Sequence, residues 1–250
     1  MPNYQQCLSH WCIAKSSDDE FKQLYQMGFR GVELAPPDSW DKFRDMGFSI
    51  VTHGGHKSID KGLNNPDDHA RIVDEIRASL ELAVKYEVPN LIVFSGRRDG
   101  RSDEEGLANC VEGLNLVKAD AEKAGVTLIM ELLNSKVNHP DYQCDKTAWG
   151  VEMVKQVNSP RVKLLYDIYH MQIMEGDLIR NIRDHIEHFG HIHTAGNPGR
   201  NDLDDQQEIY YPAVARAINE TGYNGWVGHE FLPKGEILPS LQQAFDVFNV

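Results

Sequence analysis

The sequence predicts a single parallel barrel of the (β/α)8 class, a TIM-like barrel that spans residues 1–250. Apolar runs of strand length alternate with longer helical stretches from one end of the chain to the other. About eight such β/α units follow one another, and a closed parallel barrel accommodates that number better than an open sheet. No linker, repeat or low-complexity segment indicates a second domain.

Eight apolar runs are predicted to form the strands of this barrel. Each has the length of a strand and precedes a segment of helical character. This order of strand before helix is the repeating unit of parallel α/β folds. The predicted strands are residues 4–9, 29–34, 48–53, 89–95, 125–131, 161–167, 188–194 and 225–231.

Capping signals mark where several helices begin. Ser17 is followed three residues later by Glu20, and Ser102 by Glu105, which are two capping-box patterns. Asn65 precedes a proline at the first helical position, and two aspartates follow near the positive end of the helix dipole. The predicted helices are residues 18–27, 39–46, 66–87, 103–124, 146–157, 177–187, 211–221 and 237–248.

Four glycines stand where a predicted helix closes before the next strand, namely Gly28, Gly47, Gly125 and Gly222. Many helices end at a residue in the left-handed conformation, and glycine adopts it without strain. These positions therefore support the alternation of helix and strand on which the barrel prediction depends.

The charge of the chain disfavours nucleic acid as a partner. The sequence has 25 basic and 38 acidic residues, which give a formal charge of −13, and its apolar fraction of 41% is enough for a sizeable core. A groove that binds a phosphodiester backbone needs clustered Lys and Arg, and an anionic surface repels such a polymer. We therefore expect a small-molecule partner.

Other features predict a soluble, cytoplasmic protein. The cysteines Cys7, Cys12, Cys110 and Cys144 form no CxxC pair, and a chain of this size does not need disulfides, so we expect reduced thiols. The first residues lack the basic start and apolar stretch of a secretion signal. No apolar run approaches the ~20 residues that a membrane helix needs, so no membrane partner is expected.

Four predicted strands in the second half of the chain end in a side chain that can bind a metal. The segments are VTLIMELLN with Glu131, VKLLYDIYH with Asp167, FGHIHTAG with His193 and WVGHEF with Glu230. They are far apart in the chain, unlike the ligands of a zinc finger. In a parallel barrel, however, the carboxyl ends of all strands open at the same mouth, where the active site lies.

This residue set predicts a site for a divalent cation. Any one of the four could be an isolated polar residue at a strand end. Four on consecutive strands favour a common ligand instead, because a cluster of buried carboxylates is costly without a cation. Two Glu, one Asp and one His form a hard O/N ligand set, which suits Mn²⁺ or Mg²⁺ and also accommodates Zn²⁺ or Co²⁺.

The same segments resemble the hydroxypyruvate isomerase branch of the xylose-isomerase-like barrel superfamily, which also includes ketose 3-epimerases and endonuclease IV. The resemblance extends over nearly the whole chain, and its second-half motifs are specific in combination. The motifs are FRGVEL (29–34), LIVFSG (91–96), MELLNSK (130–136), LLYDIYHMQ (164–172), GHIHTAGNPGR (190–200) and GHEF (228–231).

The resemblance implies that Glu131, Asp167, His193 and Glu230 bind the metal. It also implies that Glu131 and Glu230 act as acid and base on a small hydroxycarbonyl. The expected reaction converts hydroxypyruvate to tartronate semialdehyde through a cis-enediolate. Barrels of this branch are often homodimers or homotetramers, so the resemblance implies a homo-oligomer.

Two residues are expected to contact the substrate on the strength of this resemblance. His170 lies three residues past Asp167, in the loop after the sixth strand, where it either binds a substrate oxygen or caps the next helix. Arg200 follows the turn GNPG and is either a surface residue or a ligand for the substrate carboxylate, for which a guanidinium is well suited.

Further candidates come from their places at strand ends. Glu33 ends the second predicted strand and His53 the third, and each either lines the substrate pocket or serves the fold. Asn134, just beyond Glu131, is expected to orient that ligand or to bind an anionic group. His191 is expected to be a packed imidazole rather than a ligand.

Three other functions remain open at this point. A ketose 3-epimerase, or another isomerase of sugars or sugar phosphates, is favoured by His193, because hydroxypyruvate isomerases often have Gln there. An endonuclease-IV-like repair enzyme would need more His and Glu ligands and a basic groove, against which the charge of −13 argues. A barrel that binds metal or sugar without turnover is disfavoured by the two glutamates.

Overall fold

A computed structural model describes residues 2–250 and contains one parallel sheet. The strands adjoin in the order β3-β2-β1-β9-β8-β7-β6-β5-β4. The first and last strands of this order are separated in the chain by Val51 alone. The strands are β1 (Gln5–Ser9), β2 (Gly31–Glu33), β3 (Ser49–Ile50), β4 (Thr52–Gly54), β5 (Asn90–Val93), β6 (Thr127–Glu131), β7 (Val162–Asp167), β8 (Phe189–Thr194) and β9 (Trp226–His229).

Helices follow most of the strands, as predicted. Short 3-10 helices cover His10–Ile13, Pro37–Ser39, Pro66–Asp68 and Ile186–His188. Along residues 2–250, no helix is both long and apolar enough to cross a membrane. The α-helices are α1 (Asp18–Met27), α2 (Trp40–Asp45), α3 (His69–Tyr86), α4 (Asp103–Asn115), α5 (Lys118–Ala124), α6 (Thr147–Val157), α7 (Ile168–Met174), α8 (Leu178–His185), α9 (Tyr211–Glu220) and α10 (Ile237–Phe248).

Two predicted elements are broken in the structure. The strand predicted over 48–53 is interrupted at Val51, so that β3 pairs with β2 while β4 pairs with β5. The helix predicted over 103–124 is divided into α4 and α5. Val117 leaves the helical conformation there (φ −125°, ψ −10°), and its side chain becomes fully buried. Burial of this valine is the physical reason for the turn.

The elements pack into two compact units. The first unit comprises the described residues up to 51 together with 177–186 and 191–250, and the second comprises 52–176 and 187–190. The prediction of one domain over residues 1–250 stays a prediction.

In the first unit, β1 lies between β2 and β9. Cys7 is level with Gly31 on one side and with Gly228 on the other, and Gly228 is level with His193 of β8. An aromatic cluster packs outside these strands, where the rings of Phe21 and Phe43 lie 4.9 Å apart. The two glycines leave room beside Cys7 and His193 for larger side chains from neighbouring strands.

In the second unit, β6 lies between β5 and β7. Ile92 is level with Ile129, and Glu131 at the end of β6 is level with Leu165 of β7. All five residues of β6 are buried. Because the two strands are parallel and adjacent, Asp167 at the end of β7 lies at the same edge of the sheet as Glu131.

Candidate metal centre

Each unit contains two of the four predicted metal ligands, and all four are buried. In the second unit Glu131 is the last residue of β6 and Asp167 the last residue of β7. In the first unit His193 lies near the end of β8, and Glu230 follows directly after β9. Their side chains expose no more than 7% of their surface. The predicted placement at strand ends is therefore confirmed.

Asp167 has a structural task in the second unit in addition to its predicted role. It is the N-cap residue of α7, and its Oδ1 accepts a hydrogen bond of 3.1 Å from the backbone N–H of His170. This short helix was not predicted, and His170 lies in its first turn rather than in a loop. The side-chain cap of Asp167 stabilises a turn that lacks the length for a clear helical pattern.

Asn134 holds the ring of His170. Its backbone N–H donates to His170 Nδ1 at 3.2 Å, and its side-chain amide nitrogen lies 2.6 Å from the same atom. The amide oxygen of Asn134 accepts from the backbone N–H groups of Val137 and Asn138, which fixes the orientation of the amide. Nδ1 is therefore an acceptor, and the proton of the neutral ring is on Nε2. This Nε2 lies 3.6 Å from Asp167 Oδ2.

Glu230 is surrounded by donors in the first unit. The indole N–H of Trp11 donates to Oε1 at 2.7 Å, and Arg200 Nη2 lies 2.5 Å from Oε2. His193 Nδ1 lies 3.0 Å from the same Oε2. Burial by itself would raise the pKa of Glu230, but the charges of His193 and Arg200 outweigh it and hold the pKa below its usual range. Glu230 is therefore a carboxylate at neutral pH.

The turn before Arg200 aims its guanidinium at Glu230. Gly199 and Arg200 both adopt positive φ angles, 101° and 57°, and the backbone N–H of Gly196 donates to Asn201 across the turn. The guanidinium carbon lies 5.5 Å from the centre of the Trp11 ring, which is a cation–π distance. The predicted turn is confirmed, whereas the predicted contact of Arg200 with substrate stays a prediction.

Glu33 is fully buried against two imidazoles. Its Oε2 lies 2.7 Å from His191 Nε2, and its Oε1 lies 3.1 Å from His193 Nε2. Burial alone would raise the pKa of Glu33, but the charges and hydrogen bonds of His193 and His191 hold it well below its usual range. The thiol of Cys7 also hydrogen-bonds Glu33. The expectation that His191 is a packed imidazole agrees with these contacts.

His53 lies in β4 of the second unit, half-buried. It borders a groove of about 430 Å³ together with His56, Glu75 and Ser79. Burial lowers the pKa of His53, which favours the neutral ring. Its predicted contact with substrate stays a prediction.

The donor set fits a divalent cation. Three carboxylates and one imidazole offer oxygen and nitrogen atoms of the kind that Mn²⁺, Mg²⁺ and Zn²⁺ bind in proteins. All four side chains are buried, and buried carboxylates are costly unless a positive charge compensates them. A bound divalent cation would supply that charge.

The sequence did not predict the hydrogen bond of Trp11 to Glu230, or the place of Cys7 and Gly228 beside Glu33. Trp11 stands two residues after the end of β1, and a position just beyond a strand end is typical of residues at the mouth of a barrel. Cys7 lies inside β1, where its contact with Glu33 depends on the register between β1 and β2. That register has no local signal in the sequence.

Comparison with known proteins identifies the family of this chain. A family model described as xylose isomerase-like TIM barrel matches residues 21–247. The hydroxypyruvate isomerase of Escherichia coli is 27% identical over 227 residues, which cover 86% of this chain and 87% of the relative. The 2-oxo-tetronate isomerase of Pectobacterium atrosepticum is 25% identical over 233 residues, with 87% of each chain covered. A Danio rerio relative is 30% identical over 177 residues, and the match spans 64% of its length.

A solved structure supports the same assignment. The crystal structure named AP endonuclease, family 2, from Brucella melitensis superposes with a TM-score of 0.86 at 27% identity, covering 96% of this chain and 97% of the other. Strand order, strand-end residues and the family match agree, and they confirm the predicted fold class. The chain belongs to the xylose isomerase-like TIM barrel family.

Proposed function

We propose that this protein is a metal-dependent isomerase that converts hydroxypyruvate to tartronate semialdehyde. One observation carries the proposal. Each unit places two buried metal-binding side chains at or beside strand ends, Glu131 with Asp167 in the second unit and His193 with Glu230 in the first. Relatives named hydroxypyruvate isomerase and 2-oxo-tetronate isomerase support an isomerase of short 2-oxo acids.

The four side chains would hold a single divalent cation. When bound, such an ion supplies a positive charge that stabilises an oxyanion and acidifies a neighbouring C–H bond. The excess of carboxylate ligands favours Mn²⁺ or Mg²⁺ over softer ions, and the imidazole keeps Zn²⁺ and Co²⁺ available.

Glu131 and Glu230 would move the proton between the two carbons. One carboxylate removes a proton from C3 of hydroxypyruvate, which gives a cis-enediolate. The other group delivers a proton to C2, and the proton of the C3 hydroxyl passes to the oxygen on C2, so that an aldehyde forms at C3 and a hydroxyl at C2. Trp11 and Arg200 keep Glu230 ionised and oriented. Positioned acid–base groups of this kind contribute about 10²–10⁴ in rate.

His170 and Arg200 would orient the substrate. Asn134 fixes the tautomer of His170 in which Nε2 carries the proton, so Nε2 can donate to a substrate oxygen. The guanidinium of Arg200 has five N–H donors, of which two engage Glu230, Nη2 at its carboxylate and Nε at its backbone carbonyl. The fork of a guanidinium suits the carboxylate of a 2-oxo acid.

A ketose 3-epimerase is the second candidate, and His193 favours it, because hydroxypyruvate isomerases often have Gln at this position. Both reactions begin with removal of a proton next to a carbonyl. A substrate panel separates them, because an epimerase would act on free ketoses that lack a carboxylate for Arg200.

The test is proton exchange at carbon, followed by NMR in D₂O with Mn²⁺ present. The panel contains hydroxypyruvate, tartronate semialdehyde, 2-oxo-tetronate, fructose, tagatose and psicose. We expect exchange with the short 2-oxo acids. Exchange with the ketoses alone would refute the proposed substrate and support the epimerase.

Substitution of the two glutamates tests the proton transfer. We expect Glu131→Gln and Glu230→Gln each to lower kcat by at least about 10²-fold while the fold remains intact, because an amide cannot accept the proton. Glu75→Gln is the matched control, since Glu75 is a hydrogen-bonded glutamate outside the ligand group. Near wild-type activity in either active-site variant would contradict the assignment.

A further inference from the structure

Glu33 has a fully buried carboxylate between two imidazoles, and the proposed reaction gives it no role. We propose that Glu33 is a positioning residue, which holds His193 in the one neutral tautomer that can present Nδ1 to a metal ion. This inference rests on the proposed metal site, and it concerns metal affinity rather than turnover.

The two nitrogens of His193 face two different carboxylates. Nε2 lies 3.1 Å from Glu33 Oε1, whereas Nδ1 lies 3.0 Å from Oε2 of Glu230, which is itself a proposed ligand. Carboxylates can only accept hydrogen bonds, so without a metal ion both ring nitrogens can carry a proton. A metal ion would need the lone pair of one nitrogen, and Glu33 would then keep the remaining proton on Nε2. The lone pair of the neutral ring is then on Nδ1, on the side of the proposed ligands. Carboxylates commonly orient metal-binding histidines in this way.

Glu33 is itself held in place from several sides. His191 Nε2 lies 2.7 Å from the second oxygen of Glu33, and the Cys7 thiol hydrogen-bonds the same carboxylate. The side chains of Cys7, Glu33 and His191 are all fully buried. The carboxylate therefore cannot turn away from His193 without leaving another buried polar group unsatisfied, which is unfavourable.

The backbone around Glu33 also accommodates this arrangement. A Cβ at Gly228 would lie 2.1 Å from Glu33 Oε1 and 3.0 Å from His191 Nε2, so only glycine leaves room for the pair. Leu34, the residue after Glu33, adopts a left-handed φ of 53°. A leucine with a left-handed φ is strained. Such strain persists only where contacts with the surrounding structure stabilise that backbone conformation.

Binding of Mn²⁺ to the purified chain tests the role of Glu33. In Glu33→Gln we expect the Kd for Mn²⁺, measured by calorimetry, to rise about tenfold to a hundredfold. The amide keeps the shape of the carboxylate but has no negative charge to fix the proton of His193. We also expect the nitrogen coupling of the bound imidazole to weaken in the pulsed EPR spectrum of Mn²⁺. Glu75→Gln is the control and should match the wild type in both measurements.

A double-mutant cycle with His193→Ala shows whether Glu33 acts through this histidine. We expect Glu33→Gln to have no further effect on the Kd once His193 is removed, because its partner is gone. An equal loss of affinity in both backgrounds would overturn the proposal. Unchanged affinity and unchanged nitrogen coupling in Glu33→Gln alone would also overturn it.

Two further results would refute the proposal in different ways. Two bound ions per chain, one of them lost in Cys7→Ser, would show that Cys7, Glu33 and His191 are ligands of a second metal. These three side chains also have potential ligand atoms within 4.8 Å of one another. A wild-type chain that binds no divalent ion would refute the metal site itself. A chain that binds Mn²⁺ as expected but isomerises none of the substrates would refute only the proposed function.

Discussion

At the scale of single residues, His56 shows how burial determines a protonation state. The backbone N–H of Phe94 donates to His56 Nε2 at 2.9 Å, so the neutral ring has its proton on Nδ1. Burial, followed by the charge of Arg71, lowers the pKa of His56 to about 4. The folded chain therefore keeps this ring neutral at a pH where the unfolded chain protonates it.

This difference predicts a loss of stability on acidification. The folded pKa of about 4 lies below the ordinary value of 6.5, so the unfolded state binds more protons as the pH falls between these values. Stability is then lost by up to about 1.4 kcal/mol per pH unit in this window. Other buried histidines with lowered pKa values, such as His229, add to the same slope.

We expect His56→Gln to flatten this dependence. A glutamine oxygen can still accept from Phe94 but does not titrate. Urea unfolding at pH 7 and pH 5 should show a free energy of unfolding that falls by about 1–2 kcal/mol less in the variant than in the wild type. An identical fall in both proteins would show that His56 is not a source of the acid sensitivity.

At the scale of elements, α7 connects the fold to the site. Asp167 ends β7 and also caps α7, while His170 stands in the first turn of that helix. The cap therefore sets the distance between a proposed ligand and a proposed substrate contact. Asp167 caps the helix and is also a proposed metal ligand, and two substitutions can separate the cap from the proposed ligand role.

Asp167→Asn and Asp167→Ala should differ in stability but not in metal binding. Asparagine can still accept from the N–H of His170, whereas alanine cannot, and loss of an N-cap costs about 1 kcal/mol. We expect the metal-free alanine variant to be less stable than the asparagine variant by about this amount in urea unfolding. Both should lose most of their affinity for Mn²⁺. Equal stability of the two variants would contradict the capping role.

The elements also show which signals in a sequence are reliable. Helices α1 and α10 have the predicted boundaries, and the capping box of Ser17 and Glu20 is complete. At α4 the box is only half formed, because Ser102 accepts from the N–H of Glu105 without the return bond. Caps and periodicity are local signals and could be read from the sequence. The break at Val117 depends on the residues that bury its side chain. It could therefore not be read from the sequence.

At the scale of the whole molecule, the charge of −13 argues against binding to DNA, although the chain is similar to a structure named AP endonuclease. An anionic chain gains little from the release of counterions that drives binding to a phosphate backbone. We expect no incision of a duplex that contains one abasic site, with endonuclease IV as the positive control on a denaturing gel. Incision by this chain at a rate near that of the control would support the repair function instead.

Metal binding should also stabilise the whole fold. A ligand that binds only the folded state at a hundred times its Kd adds about 2.7 kcal/mol. For a chain of this size, that amounts to a rise in Tm of about 5–10 °C. We expect Mn²⁺ to raise the Tm of chelator-treated protein by this amount in thermal unfolding, and not to raise that of Glu131→Gln. The same shift in the variant would mean that the ion binds elsewhere.

The sequence by itself determined the alternation of strands and helices, the capping residues and the strand-end positions of Glu131, Asp167, His193 and Glu230. These follow from local patterns of apolar and polar residues, which the chain displays in order. The tertiary structure alone decided that Glu33 faces His193 and that Trp11 and Arg200 hold Glu230. The physical reason is that such contacts depend on the register between strands and on the side-chain rotamers that packing selects. Register and packing are both determined by residues that are distant from one another in the chain.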